Sequence, residues 1–149
     1  MKVSDVMEKT VITVHPQTSY KEAAKLMHDH KITGLPVVTE DQAVVGMISE
    51  KDLFRAMYPR YEEFLDDHDI DQEAQETSIE ALAAHPVVEY MARHVMTIGS
   101  NAPILKAGGL MLAHGVHRLP VVDDGRLVGI VCREDIYRAI FNEHFGFSN

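Results

Sequence analysis

Leu35-Pro36-Val37-Val38 returns as Leu119-Pro120-Val121-Val122, and this recurrence constrains the fold more than any other feature of the chain. The offset is 84 residues. Upstream, at the same offset, Met7, Val11, Thr13, Ala23, Leu26, Met27 and His30 match Met91, Val95, Thr97, Ala107, Leu110, Met111 and His114. Downstream the offset is 83, and Val45, Gly46, Asp52, Arg55 and Ala56 match Val128, Gly129, Asp135, Arg138 and Ala139. One residue has been lost from the turn between two strands, where changes of length are easily tolerated. A 149-residue chain of this kind is two small units, near 3–57 and 87–141, separated by a different segment.

Each unit reads as β-α-β-β-α. Val11–Val14 is a short extended start. Ser19-x-x-Glu22 is a capping box that opens a helix. Tyr20, Ala23, Ala24 and Met27 share one face of that helix, and Ile104, Ala107, Gly108 and Met111 repeat the face. Leu35–Val38 is a buried strand. Glu40-Asp41-Gln42 and Asp123-Asp124-Gly125 are turns. Ala43–Ile48 is a second strand that forms a hairpin with the first, and Glu50–Met57 is a second helix. One such unit buries too little surface to be secure, whereas two stacked about a pseudo-twofold axis share a core. The expected class is α/β (α+β), with repeats at 1–58 and 87–149 joined by an acidic, partly helical segment at 59–86.

The formal net charge of −9 is unevenly placed. Tyr61–Glu80 holds Glu62, Glu63, Asp66, Asp67, Asp69, Asp71, Glu73, Glu76 and Glu80 and no Lys or Arg. Elsewhere the acids and bases balance. A nucleic-acid binder shows a basic stripe that meets phosphates, and this chain has none, so no nucleic-acid partner is expected. Met1–Thr10 lacks the apolar stretch of a signal peptide. No apolar run nears the roughly 20 residues needed to cross a bilayer. The single Cys132 cannot form an internal disulfide. Together these features point to the cytoplasm, with no membrane partner.

Gly46-Met47-Ile48-Ser49-Glu50-Lys51-Asp52 carries the most chemistry. It places a hydroxyl at a strand end and an acid in the first turn of a helix, whose free N–H groups favour phosphate. Asp52 can accept hydrogen bonds from both hydroxyls of a ribose. The same spacing is also a capping box, which stabilises the helix whether or not anything binds. The second unit has Gly129-Ile130-Val131-Cys132-Arg133-Glu134-Asp135. Cys132 is a poor cap, so the reciprocal box is expected to be lost there while Asp135 remains for a ligand.

The repeated order, the Leu-Pro-Val-Val strand and the Gly-Met-Ile-Ser-Glu-Lys-Asp run resemble the CBS domain, which occurs in pairs known as Bateman modules. The resemblance covers the chain except residues 58–86. It implies adenosine-nucleotide binding, with Ser49 near phosphate, Asp52 on ribose, and Thr13 and Thr97 lining the pocket for base and ribose. It brings Gly34, Leu35 and Pro36 into the first half-site, with adenine between apolar walls such as Leu35, Pro36 and Met47. His117-Arg118-Leu119-Pro120 resembles the gamma subunit of AMP-activated protein kinase, where a His-Arg pair reaches nucleotide phosphates. Arg118 can pair bidentately with phosphate. The first unit has Thr33-Gly34 at that place, so its half-site has no local base, whereas the second has His117, Arg118 and Asp135 without the hydroxyl.

Other features carry less. His28-x-His30 and His114-x-x-His117 lack further ligands at metal spacing. Asp67-x-Asp69-x-Asp71 begins like a calcium loop, but Gln72 stands where glycine is needed and Ser78 where Glu is needed. Cys132 reads as a packing residue. The expectation is a regulatory sensor of AMP, ADP or ATP that requires no cofactor, catalyses nothing and signals to a partner protein yet to be identified. The competing readings are an interaction scaffold with degenerate sites, and another adenosyl ligand such as S-adenosylmethionine, NAD or a cyclic dinucleotide. About 30 residues lie outside the repeats, too few for a catalytic domain. Leu53, Phe54, Met57, Ile136, Tyr137 and Ile140 supply more apolar surface than one small core holds, which predicts a homodimer.

Overall fold

In the computed structural model, residues 1–65 and 70–147 are described. Asp67 and Asp69 of the calcium-like run lie outside the described residues. The α-β-β-α part of each repeat is met, while the extended start of each is no strand but a single bridge, Val14 with Val37 and Ile98 with Val121. A short helix α1 (Val3–Val6) precedes α2 (Tyr20–His30), β1 (Gly34–Val38), β2 (Val44–Ser49) and α3 (Glu50–Ala56). A 3-10 turn at Tyr61–Phe64 and α4 (Gln72–Leu82) follow. A second 3-10 turn at Val87–Glu89 leads to α5 (Ile104–His114), β3 (Arg118–Asp123), β4 (Arg126–Cys132) and α6 (Arg133–Phe145). β1 pairs with β2, and β3 pairs antiparallel with β4.

Local chemistry sets the ends of these elements. Ser19 Oγ accepts the Glu22 N–H at 3.1 Å and starts α2. α2 and α5 both end on a left-handed residue, Lys31 at φ 54° and Gly115 at φ 64°. Asp71 caps α4 through the Ala74 N–H at 3.1 Å. No residue of α4 is buried, as its acidic composition dictates.

The described residues form two compact units that do not follow the repeats. The α2/α3 unit comprises Thr13–Thr39 and Val45–His94. The α5/α6 unit comprises Met1–Ile12, Glu40–Val44 and Val95–Asn149. The opening segment of the first repeat therefore packs in the unit built by the second. Glu8 and Ile130 exchange backbone hydrogen bonds, each 2.9 Å. In the α2/α3 unit, Met47 and Ala92 do the same at 3.0 and 2.9 Å. Two glycines make these approaches possible. A Cβ at Gly46 would lie 2.9 Å from the Ala92 carbonyl oxygen and 2.5 Å from Met91 Sδ. A Cβ at Gly129 would lie 3.0 Å from the Glu8 carbonyl oxygen and 2.7 Å from Met7 Sδ.

The core of the α5/α6 unit gathers Val3, Ile98, Ile104, Ala107, Met111, Leu119, Val121, Val131 and Ile136. In the α2/α3 unit, Val14, Ala23, Met27, Leu35, Val37, Val38, Ile48, Leu53 and Val87 are buried. The small Ala23 and Ala107, both with no exposed surface, let each first helix lie close to its hairpin. Among the described residues no helix is long and apolar enough to cross a membrane.

Candidate functional site

In the α2/α3 unit, three backbone contacts tie the flanking segments to the hairpin. The Val14 N–H donates to the Pro36 carbonyl at 3.1 Å, and the Val38 N–H to the Val14 carbonyl at 2.8 Å, which fixes Thr13 beside β1. The Glu50 N–H donates to the Thr33 carbonyl at 3.0 Å, tying the start of β1 to the start of α3. Gly34, Ser49 and Asp52 thus meet at one strand-helix junction. Thr13, Ser49 and Asp52 are half-buried there.

The α5/α6 unit repeats this construction. The Ile98 N–H donates to the Pro120 carbonyl at 3.1 Å, and the Val122 N–H to the Ile98 carbonyl at 2.8 Å. The Arg133 N–H donates to the His117 carbonyl at 2.9 Å. Arg118 stands directly opposite Cys132 in the β3–β4 register. Thr97, next to Ile98, is exposed.

The capping chemistry corrects one expectation. At the first junction the Ser49 N–H and Oγ both donate to Asp52 Oδ2 at 2.9 Å, and the Asp52 N–H returns to Ser49 Oγ at 3.2 Å. At the second, the box was expected to be lost with the serine, but it survives. The Cys132 N–H donates to Asp135 Oδ2 at 3.0 Å. The physical reason is that the acid caps a backbone N–H, which every residue except proline supplies. Asp135 is therefore not an acid without a structural task.

The remaining oxygens differ in their use. Asp52 Oδ1 faces Arg55 at 3.9 Å, and Asp135 Oδ1 faces Arg138 at 4.0 Å. These exceed hydrogen-bonding distance, and both arginines are more than half exposed, so the ion pairs contribute little to stability. In the sequence Arg55 and Arg138 are visible only as members of the repeat. Their place near each acid follows from helical i, i+3 spacing.

His117 and Arg118 part company. His117 lies in the bend before β3, and Arg118 is the first residue of the strand. His117 lines the groove between α5 and α6 with Leu105, Leu112, Ile136 and Tyr137. Arg118 stands opposite Cys132, whose thiol is pushed up by burial and by the Asp135 charge, while the positive charge of Arg118 pulls the other way. Leu35, Pro36, Leu119 and Pro120 are fully buried. Their side chains frame the two junctions from within the core and present no surface of their own. Among the described residues no group of three or more His, Cys, Asp or Glu side chains is placed to hold a metal ion.

This twice-built junction has counterparts among known proteins. The chain matches the CBS domain family over residues 3–59 and again over 87–142. It belongs to the CBS domain family. A stand-alone CBS domain-containing protein of Dictyostelium discoideum is 33% identical, the match covering 90% of this chain and 87% of that one. The homoserine O-acetyltransferase of Methanococcoides burtonii is also 33% identical, over 93% of this chain, but the chain spans only 24% of that enzyme's length. Two solved CBS pairs superpose well. The pair of protein MJ0100, in complex with 5'-methylthioadenosine and S-adenosyl-L-methionine, has a TM-score of 0.75 and 30% identity, covering 96% of this chain and 98% of its own. CBSX2, in complex with AMP, has a TM-score of 0.74 and 30% identity, covering 95% and 97%; the CBSX2 protein comes from Arabidopsis thaliana.

Proposed function

We propose that this CBS pair is a cytoplasmic regulatory module that binds AMP, ADP or ATP and passes its occupancy to a partner protein, without chemistry of its own. One observation carries the reading. At both strand-helix junctions a half-buried aspartate spends Oδ2 on the cap, while its Oδ1 faces an arginine at 3.9 or 4.0 Å, beyond hydrogen-bonding distance. An oxygen so placed can accept a ribose hydroxyl without unmaking the helix start. The adenosine ligands held by MJ0100 and CBSX2 support the same ligand class. Thr13 and Thr97, one residue before each bridging position, supply hydroxyls for the base or ribose in this reading.

Paired substitutions separate ligand binding from capping. Ser49→Ala and Asp52→Ala each remove part of the same box, so each costs about 1 kcal/mol of stability. Asp52→Ala alone should weaken AMP, measured by calorimetric titration, by about 1.5–3 kcal/mol. If AMP binds Asp52→Ala as tightly as the parent, Asp52 is only a cap and the ribose assignment is wrong.

A homodimer fits the helical faces. Leu105, Leu112 and Tyr137 are 72%, 83% and 61% exposed on the α5/α6 unit, around a groove of about 540 Å³. Apolar exposure concentrated in this way suits a self-complementary interface. A monomeric mass by light scattering at micromolar concentration would count against it.

A further inference from the structure

We infer that Met7 and Met91 are paired oxidation sites: conversion of either thioether to the sulfoxide releases the bridge that its segment makes with the glycine-bearing strand of its unit. The two residues are repeat equivalents, 84 positions apart. Each closes a short turn whose first residue is fully buried. The Met7 N–H donates to the Val3 carbonyl and the Met91 N–H to the Val87 carbonyl, both at 2.9 Å. Each side chain then lies on a glycine. Met91 Sδ comes within 2.5 Å of the place a Cβ on Gly46 would take, and Met7 Sδ within 2.7 Å of the same place on Gly129. The carbonyl of the next residue crowds the same point, Ala92 at 2.9 Å and Glu8 at 3.0 Å. Sulfur and carbonyl therefore share the space over bare backbone, beside the bridge Met47–Ala92 in one unit and Glu8–Ile130 in the other.

An added oxygen disturbs this arrangement. Hydrogen peroxide supplies it: a lone pair of the thioether sulfur takes one peroxide oxygen, the S–O bond forms as the O–O bond breaks, and water leaves. The sulfur is oxidised by two electrons and the peroxide is reduced by two. The product is a polar side chain where an apolar one was packed. The N–H groups of the bridges are already committed, Met47 and Ala92 to each other at 3.0 and 2.9 Å, Glu8 and Ile130 to each other at 2.9 Å. The neighbouring carbonyl is itself an acceptor and repels the new oxygen. The sulfoxide thus swings out to water, since staying without a donor is costly. That movement uncovers the glycine and opens the bridge to solvent. Met7 and Met91 are half-buried, so peroxide reaches them. Met27 and Met111, in the cores, are 2% and 3% exposed and are shielded.

Peroxide treatment of the whole chain, followed by peptide mass mapping and thermal melting, tests this. Met7 and Met91 should each gain one oxygen well before Met27 and Met111. The melting temperature should fall by about 3–8 °C as they do. Methionine sulfoxide reductases A and B, one for each epimer, should restore it. In the double variant Met7→Leu with Met91→Leu, which keeps the volume and removes the sulfur, peroxide should move the melting temperature by less than about 1 °C. That variant keeps Cys132, so a fall caused by the thiol would persist in it and overturn the inference. Oxidation of both methionines with no fall in the parent, failure of the reductases to restore it, or oxidation of Met27 and Met111 ahead of Met7 and Met91 would overturn it as well. These three outcomes are read on the parent chain and hold even if the double variant does not fold.

Discussion

The two strand-helix junctions are the same machine with one part exchanged on each strand: Gly34 and Ser49 in the α2/α3 unit, Arg118 and Cys132 in the α5/α6 unit. The cap does not register the exchange. Asp52 and Asp135 reach the N–H of residues 49 and 132 at 2.9 and 3.0 Å. What changes is the material beside the cap, a hydroxyl in one unit and a half-buried thiol opposite Arg118 in the other. A position fixed by backbone geometry tolerates a new neighbour, so the cap persists where the side chains around it differ.

The largest test of that equivalence is in the core. Leu35 and Leu119 are both fully buried, and either Leu→Ala should cost about 2–5 kcal/mol in urea unfolding. A large gap between the two would show that the units are not equally packed. Next come the glycines. Gly46→Ala and Gly129→Ala should each cost about 1–3 kcal/mol, with Gly46 the more severe because its contacts are shorter. In both cases the methionine can swing aside but the backbone carbonyl cannot. If either variant is as stable as the parent, the close approach at that strand is not required.

A smaller effect separates the caps. Ser49→Ala should lose about 1 kcal/mol, and Cys132→Ala less, because a thiol is a poorer acceptor for the N3 N–H than a hydroxyl. Equal losses would mean the side chain at the cap is irrelevant in both units. The smallest effect concerns pH. The Cys132 thiol is held above its ordinary value, chiefly by burial. The folded state therefore keeps the proton that the unfolded chain releases. This contribution is complete below the unfolded thiol's pKa and is lost as pH rises through the folded one. Cys132→Ser should flatten the stability profile on the alkaline side of neutrality, and an unchanged alkaline slope would refute the assignment.

Much of this fold was legible in the residues, because the repeat tests itself. The periodicity of Tyr20–Met27 predicts α2, the unbroken apolar run Leu35–Val38 predicts the buried strand, and a turn shorter by one residue explains the change of offset. The exchanged opening segments were not legible. They are held by backbone pairs, Glu8 with Ile130 and Met47 with Ala92, which leave no side-chain pattern. Their only trace is a glycine at 46 and 129, whose reason appears once Met91 and Met7 are seen above them. The separation of His117 from Arg118 falls at the boundary between bend and strand, which reading the two as a dipeptide motif concealed. The survival of the box at Cys132 was hidden for a similar reason. Sequence displays the side chain, and the acceptor that matters belongs to the acid three residues on.

The exchange also sets an order of events during synthesis. Glu8 is made more than a hundred residues before its backbone partner Ile130. The α2/α3 unit can close once His94 has emerged, while the opening segment waits, unpaired, for the strand that completes the other unit. For that interval the nascent chain carries an unpaired, edge-seeking segment. A Gly129 strand on a neighbouring chain can compete for it, the route by which strand-swapped assemblies form.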